Sequence, residues 1–183
     1  MLKILKYGEP VLERPAEPVG DFNSSDLKQL IENMFETMYA AKGVGLAAPQ
    51  VGVSKRVTVI DISVGEDETK KLVLINPEIT STEGKQVGEE GCLSIPGFRE
   101  PVSRANKVTV KAYNEKGEPI ELSGEELLAR AFQHEIDHLN GKLFINHLSA
   151  LKRDIIRRKI KKLQKAGEWD GGSGDARSVS RHA

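Results

Sequence analysis

Cysteine is almost missing from this chain: Cys92 is the one example in 183 residues. A disulfide framework is therefore excluded, and the thiol is left as inert packing, a nucleophile or a metal ligand. No run of 18 or more apolar residues occurs, which excludes a membrane-spanning helix. The opening "MLKILKYGEPVLERP" is too short in apolar residues and too charged for a secretory segment, so the cytoplasm is the expected compartment. Neither sign of charge predominates, with 27 basic and 27 acidic residues. No global field draws the chain to nucleic acid or membrane, and any such partner needs a local patch. Internal repeats are absent too. What remains, 38% hydrophobic and 30% charged, is the composition of a soluble globular protein whose length suits one core.

Prolines 10, 15 and 18 punctuate the first 20 residues, which read as an extended, turn-rich lead-in. From Asp26 the residues Leu27, Leu30, Ile31, Met34, Phe35 and Met38 recur at helical spacing, with Asn23, Ser24 or Ser25 as the cap and Gly43 closing the end. The Gly-rich "GVGLAAPQVGV" is expected to be a folded loop. Five β-branched segments follow, 56–63, 71–79, 87–95, 107–114 and 119–123, with no helix-length segment between them. Antiparallel pairing is the expectation. Ser123 and Glu126 have the spacing of a capping box for a helix running to Asn140, with Gly141 beyond it. A last helix is expected from about Leu148 to Lys165, with Leu148, Leu151, Ile155, Ile156, Ile160 and Leu163 as one apolar stripe. The fold class is thus α+β: antiparallel sheets around a central helix, with an N-terminal and a C-terminal helix. The domain is expected to span 1–166, and the Gly/Ser-rich 167–183 to be a disordered tail.

The central helix contains His134, Glu135 and His138 in the order H-E-x-x-H. Four helical residues rise about 6 Å and turn about 400°, so the two imidazoles stack and can reach one ion. Glu135 points about 100° aside, which suits a base acting on water beside that ion. A hydrolytic site normally takes three protein ligands and leaves one position open. The metzincin continuation fails, because Phe144 stands where a third histidine belongs. Two candidates remain, His147 just beyond the helix and Cys92 in "EEGCLSIPG". A thiolate beside two imidazoles suits Zn2+ or Fe2+, and it makes Cys92 the stronger candidate.

The stretches "GVGLAAPQ" (43–50), "EGCLS" (90–94) and "QHEIDHLNG" (133–141), in that order, together with the "YGEPVLERPAEPV" opening, resemble the peptide deformylase family. The resemblance covers residues 1 to about 166. It implies a hydrolase that removes the formyl group from the N-terminal formyl-methionine of newly made proteins. It implies Cys92, His134 and His138 as ligands of one divalent metal ion, Fe2+ in cells, with Zn2+, Ni2+ or Co2+ able to replace it. Glu135 would be the acid–base residue, and Gln50 with the Leu93 N–H would hold the oxyanion. Gly45 and Gly91 would contact the substrate backbone. Glu90 is expected to pair with a downstream arginine, Arg104. The methionine pocket is expected on the helix face of Leu127 and Ala131, with Arg130 near it and its direction open.

Residues 149–166 carry eight basic residues against Asp154 alone. This patch is either a solvated face or a contact with ribosomal RNA. Two other functions share these features: an amidase for a different acyl group, and a non-enzymatic module with a structural metal. The second would need a fourth ligand, for which His147 is the candidate, and it would leave Glu135 without a task.

Overall fold

A computed structural model describes residues 1–170 of the chain. Three helices are present among them: α1 (Ser25–Ala40), α2 (Glu126–Leu139) and α3 (Ala150–Lys165). Seven strands complete the fold: β1 (Gly45–Ala47), β2 (Val57–Ile60), β3 (Leu72–Glu83), β4 (Gln86–Cys92), β5 (Ile95–Arg104), β6 (Lys107–Tyr113) and β7 (Pro119–Glu125). All pairings between these strands are antiparallel. Five strands form one sheet in the order β1-β2-β3-β6-β7, while β4 and β5 form a separate ribbon. The fold class is the expected α+β. Among the described residues no helix is long and apolar enough to cross a membrane.

The helical spacing of α1 buries Leu27, Ile31, Met34, Phe35 and Met38 against Leu46, Val57 and Val59. Ser24 caps its start, accepting from the Asp26 N–H at 3.1 Å. Its end differs from expectation. Lys42, not Gly43, takes the left-handed conformation (φ 58°), while the Gly43 N–H reaches the Met38 carbonyl at 3.0 Å. Helix α2 lies on the same sheet, with Ala129, Phe132 and Ile136 packed against Leu74, Val108 and Val110. Gly124 makes this close approach possible, because a Cβ there would stand 2.6 Å from Leu128 and 2.9 Å from Phe132.

The capping box expected at Ser123 does not form. β7 continues through Glu125, and the Ser123 hydroxyl is engaged across the strands by Thr109 at 2.9 Å. The chain enters α2 through Glu126 at φ 53°, whose N–H donates to the Asn106 carbonyl. The segment expected as one strand over 87–95 holds nearly all of β4, then a turn and the first residue of β5. Pro96 and Pro101 argue against a strand there, but a two-stranded ribbon has free edges that tolerate proline.

α3 buries Ile156 and Ile160 with Leu143, Ile145 and Val102, whereas Leu151 and Ile155 are 72% and 43% exposed. The expected stripe is therefore wider than the surface it meets. Residues 167–170 depart from the expectation of a structureless tail. Trp169 is buried in this cluster, its indole N–H donating to the Tyr7 carbonyl at 2.8 Å, and Asp170 pairs with Lys3 and Lys6 at 2.9 and 3.3 Å. The rest of the expected tail, 171–183, lies outside the described residues. The lead-in is tied to two loops at once, since the Leu5 N–H donates to the Gln50 carbonyl and the Tyr7 N–H to the Ser94 carbonyl.

Candidate metal centre and active-site cleft

Between the β4–β5 ribbon, the 42–45 segment and α2 lies a cleft of about 560 Å3. Gly45, Gln50, Gly91, Leu93, Leu127, Ala131 and Glu135 all line it. At its floor α2 brings the Nε2 atoms of His134 and His138 within 3.2 Å of each other. A register shift between Gly91 and Cys92, after which Cys92 pairs with Ile95, accompanies the turn of the Cys92 sulfur toward the helix. Its Sγ stands 3.3 Å from His138 Nε2. The three donor atoms lie within 4.8 Å of one another, the one such cluster of His, Cys and acidic groups among the described residues.

This set fits a metal ion. Ligands at roughly 2.0–2.3 Å in a tetrahedral shell stand roughly 3.3–3.7 Å apart, close to the 3.2 and 3.3 Å that separate His138 Nε2 from the other two donors. The second ring nitrogen of His134 meets Glu90 Oε1 at 2.5 Å, an arrangement that leaves its Nε2 lone pair facing the other two donors. His138 Nδ1 is buried without a partner among the described residues. Burial opposes charge on His134, but its Cys92 and Glu90 partners outweigh this and hold its pKa well above the ordinary histidine range. Burial and the neighbouring His134 push His138 well below it. Metal ligands bind in their deprotonated forms, so an ion here would compete with protons for these atoms. The alternative ligand His147 is engaged elsewhere, 2.8 Å from Asp137 Oδ2.

Glu135 is buried (2% exposed) beside this cluster. Burial first, and then the charges of Glu90 and Asp137, push its pKa up to about 7 against the pull of His134 and Arg104. Gly45 was expected to admit a substrate backbone, and the structure adds a second reason for glycine. A Cβ there would stand 2.8 Å from Glu135 Oε2, so a side chain would displace the carboxyl group. At Gly91 a Cβ would meet the Arg99 side chain at 3.0 Å. Gln50 is buried (1% exposed), its Oε1 accepting from the Ala47 N–H at 2.9 Å. Its Nε2 donates to Ser94 Oγ at 3.1 Å and points at Cys92 Sγ at 3.6 Å. Leu127 is half exposed at the rim, while Ala131 is buried.

One further group, Ser94, was not legible as part of the site, and Arg104 and Arg130 take up bonds beyond those expected of them. Ser94, fully buried, holds the Gln50 amide and donates its N–H to Cys92 Sγ at 3.4 Å. Arg104 forms the expected fork with Glu90, at 3.1 and 2.6 Å, and extends to Asp137 at 2.7 Å. Arg130 does not intrude into the cleft as a free charge, since its guanidinium is bonded to Glu90 at 2.7 Å. Burial disfavours ionisation of Glu90, yet the His134 and Arg104 hydrogen bonds outweigh it and hold the carboxyl well below the usual carboxylate range.

The raised Glu135 predicts a pH-dependent cost. The unfolded group ionises near 4.5 and the folded one near 7. Folding therefore retains a proton in between, and stability is lost as pH rises through that window. In metal-free protein the stability of Glu135→Gln relative to the parent should rise by roughly 3 kcal/mol between pH 4.5 and 8. Urea midpoints at each pH measure this; parallel pH profiles for the two proteins contradict it.

The Polypeptide deformylase family profile matches residues 1–154. A peptide deformylase of Acidobacterium capsulatum is 63% identical over 166 residues, covering 91% of this chain and 97% of its own. One from Thermodesulfovibrio yellowstonii is 52% identical over 161 residues, covering 88% and 97%. Among solved structures, a Legionella pneumophila peptide deformylase superposes with a TM-score of 0.84 at 52% identity, covering 91% of this chain and 96% of that one. A cleft floored by a thiol and two imidazoles, with a buried carboxyl group beside them, is thus accompanied by similarity along nearly the whole chain. The chain belongs to the polypeptide deformylase family, enzymes that remove formyl from the N-terminal methionine of nascent proteins.

Proposed function

We propose that Cys92, His134 and His138 hold one divalent metal ion, and that Glu135, Gln50 and Leu93 carry out the deformylation of formyl-methionyl chains beside it. The observation that carries this is the spacing of the three donor atoms, 3.2 and 3.3 Å, with the Glu135 carboxyl buried next to them. Peptide deformylases are metalloenzymes, and thiolate with two imidazoles suits Fe2+ or Zn2+. We assign Fe2+ in the cell, with Zn2+, Ni2+ or Co2+ as substitutes. When bound, the ion supplies a Lewis acid and lowers the pKa of water toward neutrality. Glu135, ionised next to it, takes the proton of the attacking water as the oxygen–carbon bond forms. The Gln50 Nε2–H and the Leu93 N–H donate to the carbonyl oxygen as it gains charge. Glu135 then returns the proton to the departing amine, the carbon–nitrogen bond breaks, and formate leaves.

Gly45 and Gly91 leave room for the peptide backbone, and the Leu127–Ala131 side of α2 faces the methionine side chain. The catalytic domain is assigned to residues 1–166, with 167–170 packed on it. We assign the enzyme to the cytoplasm, where nascent chains are found. The exposed Arg157, Arg158, Lys161, Lys162 and Lys165 of α3 support a docking contact with ribosomal RNA. Reversing Lys161, Lys162 and Lys165 to Glu should reduce cosedimentation with ribosomes; unchanged cosedimentation removes that partner.

Freshly loaded protein should release formate from a formyl-methionyl peptide. Glu135→Gln should keep its metal while kcat falls about 10²–10⁴-fold, whereas Cys92→Ala should lose metal to a chelator concentration that the parent withstands. Normal turnover by either variant contradicts these roles.

A further inference from the structure

The ribbon carrying Cys92 is not part of the five-stranded sheet on which α2 packs. Side chains that span the gap therefore help to set the distance between the thiol and the two imidazoles. Toward the C-terminal end of α2, Asp137 is reached by Arg104, the last residue of β5, at 2.7 Å. Two helical turns earlier the reach runs the opposite way, from α2 to the ribbon. Arg130, 8% exposed, donates through Nη1 to Glu90 at 2.7 Å, and through Nη2 to Gln86 Oε1 at 3.2 Å and the Val102 carbonyl at 3.1 Å. One helical side chain is thereby fixed to both strands of the ribbon.

The β4 face that receives it is shaped for the purpose. Gln86, Gly88 and Glu90 alternate onto one side of the strand. The two outer residues accept from the guanidinium, and the middle one leaves space, since a Cβ at Gly88 would stand 3.3 Å from Nη2. Gln86 is anchored in turn, its Nε2 donating to the carbonyls of Ala105 and Glu126 at 3.2 and 2.8 Å. Arg130 and Asp137 are two helical turns apart and bracket His134. A buried guanidinium is an expensive way to fill space, and an apolar side chain of similar volume would do so at less cost. What the guanidinium adds is geometric: three fixed acceptors on the far side of the cleft.

We infer that Arg130 is a positioning residue, a strut between α2 and the β4–β5 ribbon that fixes the width of the cleft and thereby its selectivity for the methionine side chain. The selectivity part rests on the reading above that this cleft takes that side chain; the strut itself does not. Arg130 also lines the cleft. With its guanidinium committed to the ribbon, the side chain serves as a wall of fixed height. Without the strut, Arg104 with Asp137, Gln86 with the Glu126 carbonyl and His134 with Glu90 would still join the two bodies, but the wall at Arg130 would lose its three acceptors on the ribbon and the cleft would widen there.

The test compares Arg130→Met, which keeps length and loses all three bonds, with Gln86→Ala, which removes one anchor on the half-buried ribbon face, and with Arg130→Lys. For zinc-loaded protein, the apparent Kd for Zn2+ against a competing chelator should rise about tenfold in Arg130→Met. The ratio of kcat/KM for formyl-methionyl over formyl-phenylalanyl tripeptides should fall about tenfold, because a widened cleft penalises the bulkier side chain less. Gln86→Ala should change the ratio in the same direction by a smaller factor, and Arg130→Lys should restore part of it. Should Arg130→Met fail to fold, Gln86→Ala decides the matter. A selectivity ratio and a Zn2+ affinity within twofold of the parent, in whichever of the two variants folds, overturn the strut. Failure of the parent to deformylate formyl-methionyl peptide would instead overturn the functional reading, and the Zn2+ arm would still judge the strut.

Discussion

The geometry of the site depends on a separation. One donor, Cys92, stands on a two-stranded ribbon, and two donors, His134 and His138, stand on a helix that packs on a different sheet. Backbone hydrogen bonds fix each body internally, and the short connections from β3 and to β6 join the ribbon to the sheet at one end. Across the site itself the two bodies are held by side chains whose polar ends are buried, with Glu90 at the junction. Its two oxygens receive Arg104 twice, Arg130 once and the His134 ring once. Within low-dielectric surroundings an unpaired member of such a group is costly, so each bond supports the others.

The same burial gives the chemistry its direction. Glu90 and Glu135 both lie on the buried side of the cleft, yet their carboxyl groups are pushed apart in acidity. Glu90, surrounded by donors, stays ionised and orients His134. Glu135, pressed against Gly45 and short of donors, is driven up to about 7. One carboxylate is thus a fixed structural charge, and the other can exchange a proton near neutral pH. A bound cation would favour the ionised form of Glu135, coupling metal occupancy to the availability of the base.

Much of this was legible in the sequence, for identifiable reasons. α1 and α2 follow from apolar residues at a period near 3.6, and β2, β3, β6 and β7 from β-branched runs bounded by turn residues. The spacing of His134 and His138 announced one half of the donor set, and elimination of other ligands favoured Cys92. β1 was hidden inside a glycine-rich stretch, because three residues carry no periodicity. β5 was hidden by its prolines, which an unpaired ribbon edge accommodates. The Ser123 cap failed because a cross-strand hydroxyl pair competes for the same side chain. Trp169 sits in a segment whose composition suggests disorder, and its burial depends on Tyr7 and Phe98, far away in sequence. The direction of Arg130 could not be read from a helix pattern, since its acceptors lie 28 to 44 residues earlier in the chain.

The account stands or falls on a sulfur from the ribbon and two nitrogens from the helix sharing one ion. X-ray absorption at the metal edge of the loaded protein measures this directly. One sulfur scatterer at about 2.3 Å with two imidazole nitrogens at about 2.0–2.1 Å is the predicted shell. A shell of nitrogen and oxygen alone, with Cys92 free to react with a thiol reagent while the ion stays bound, would contradict it.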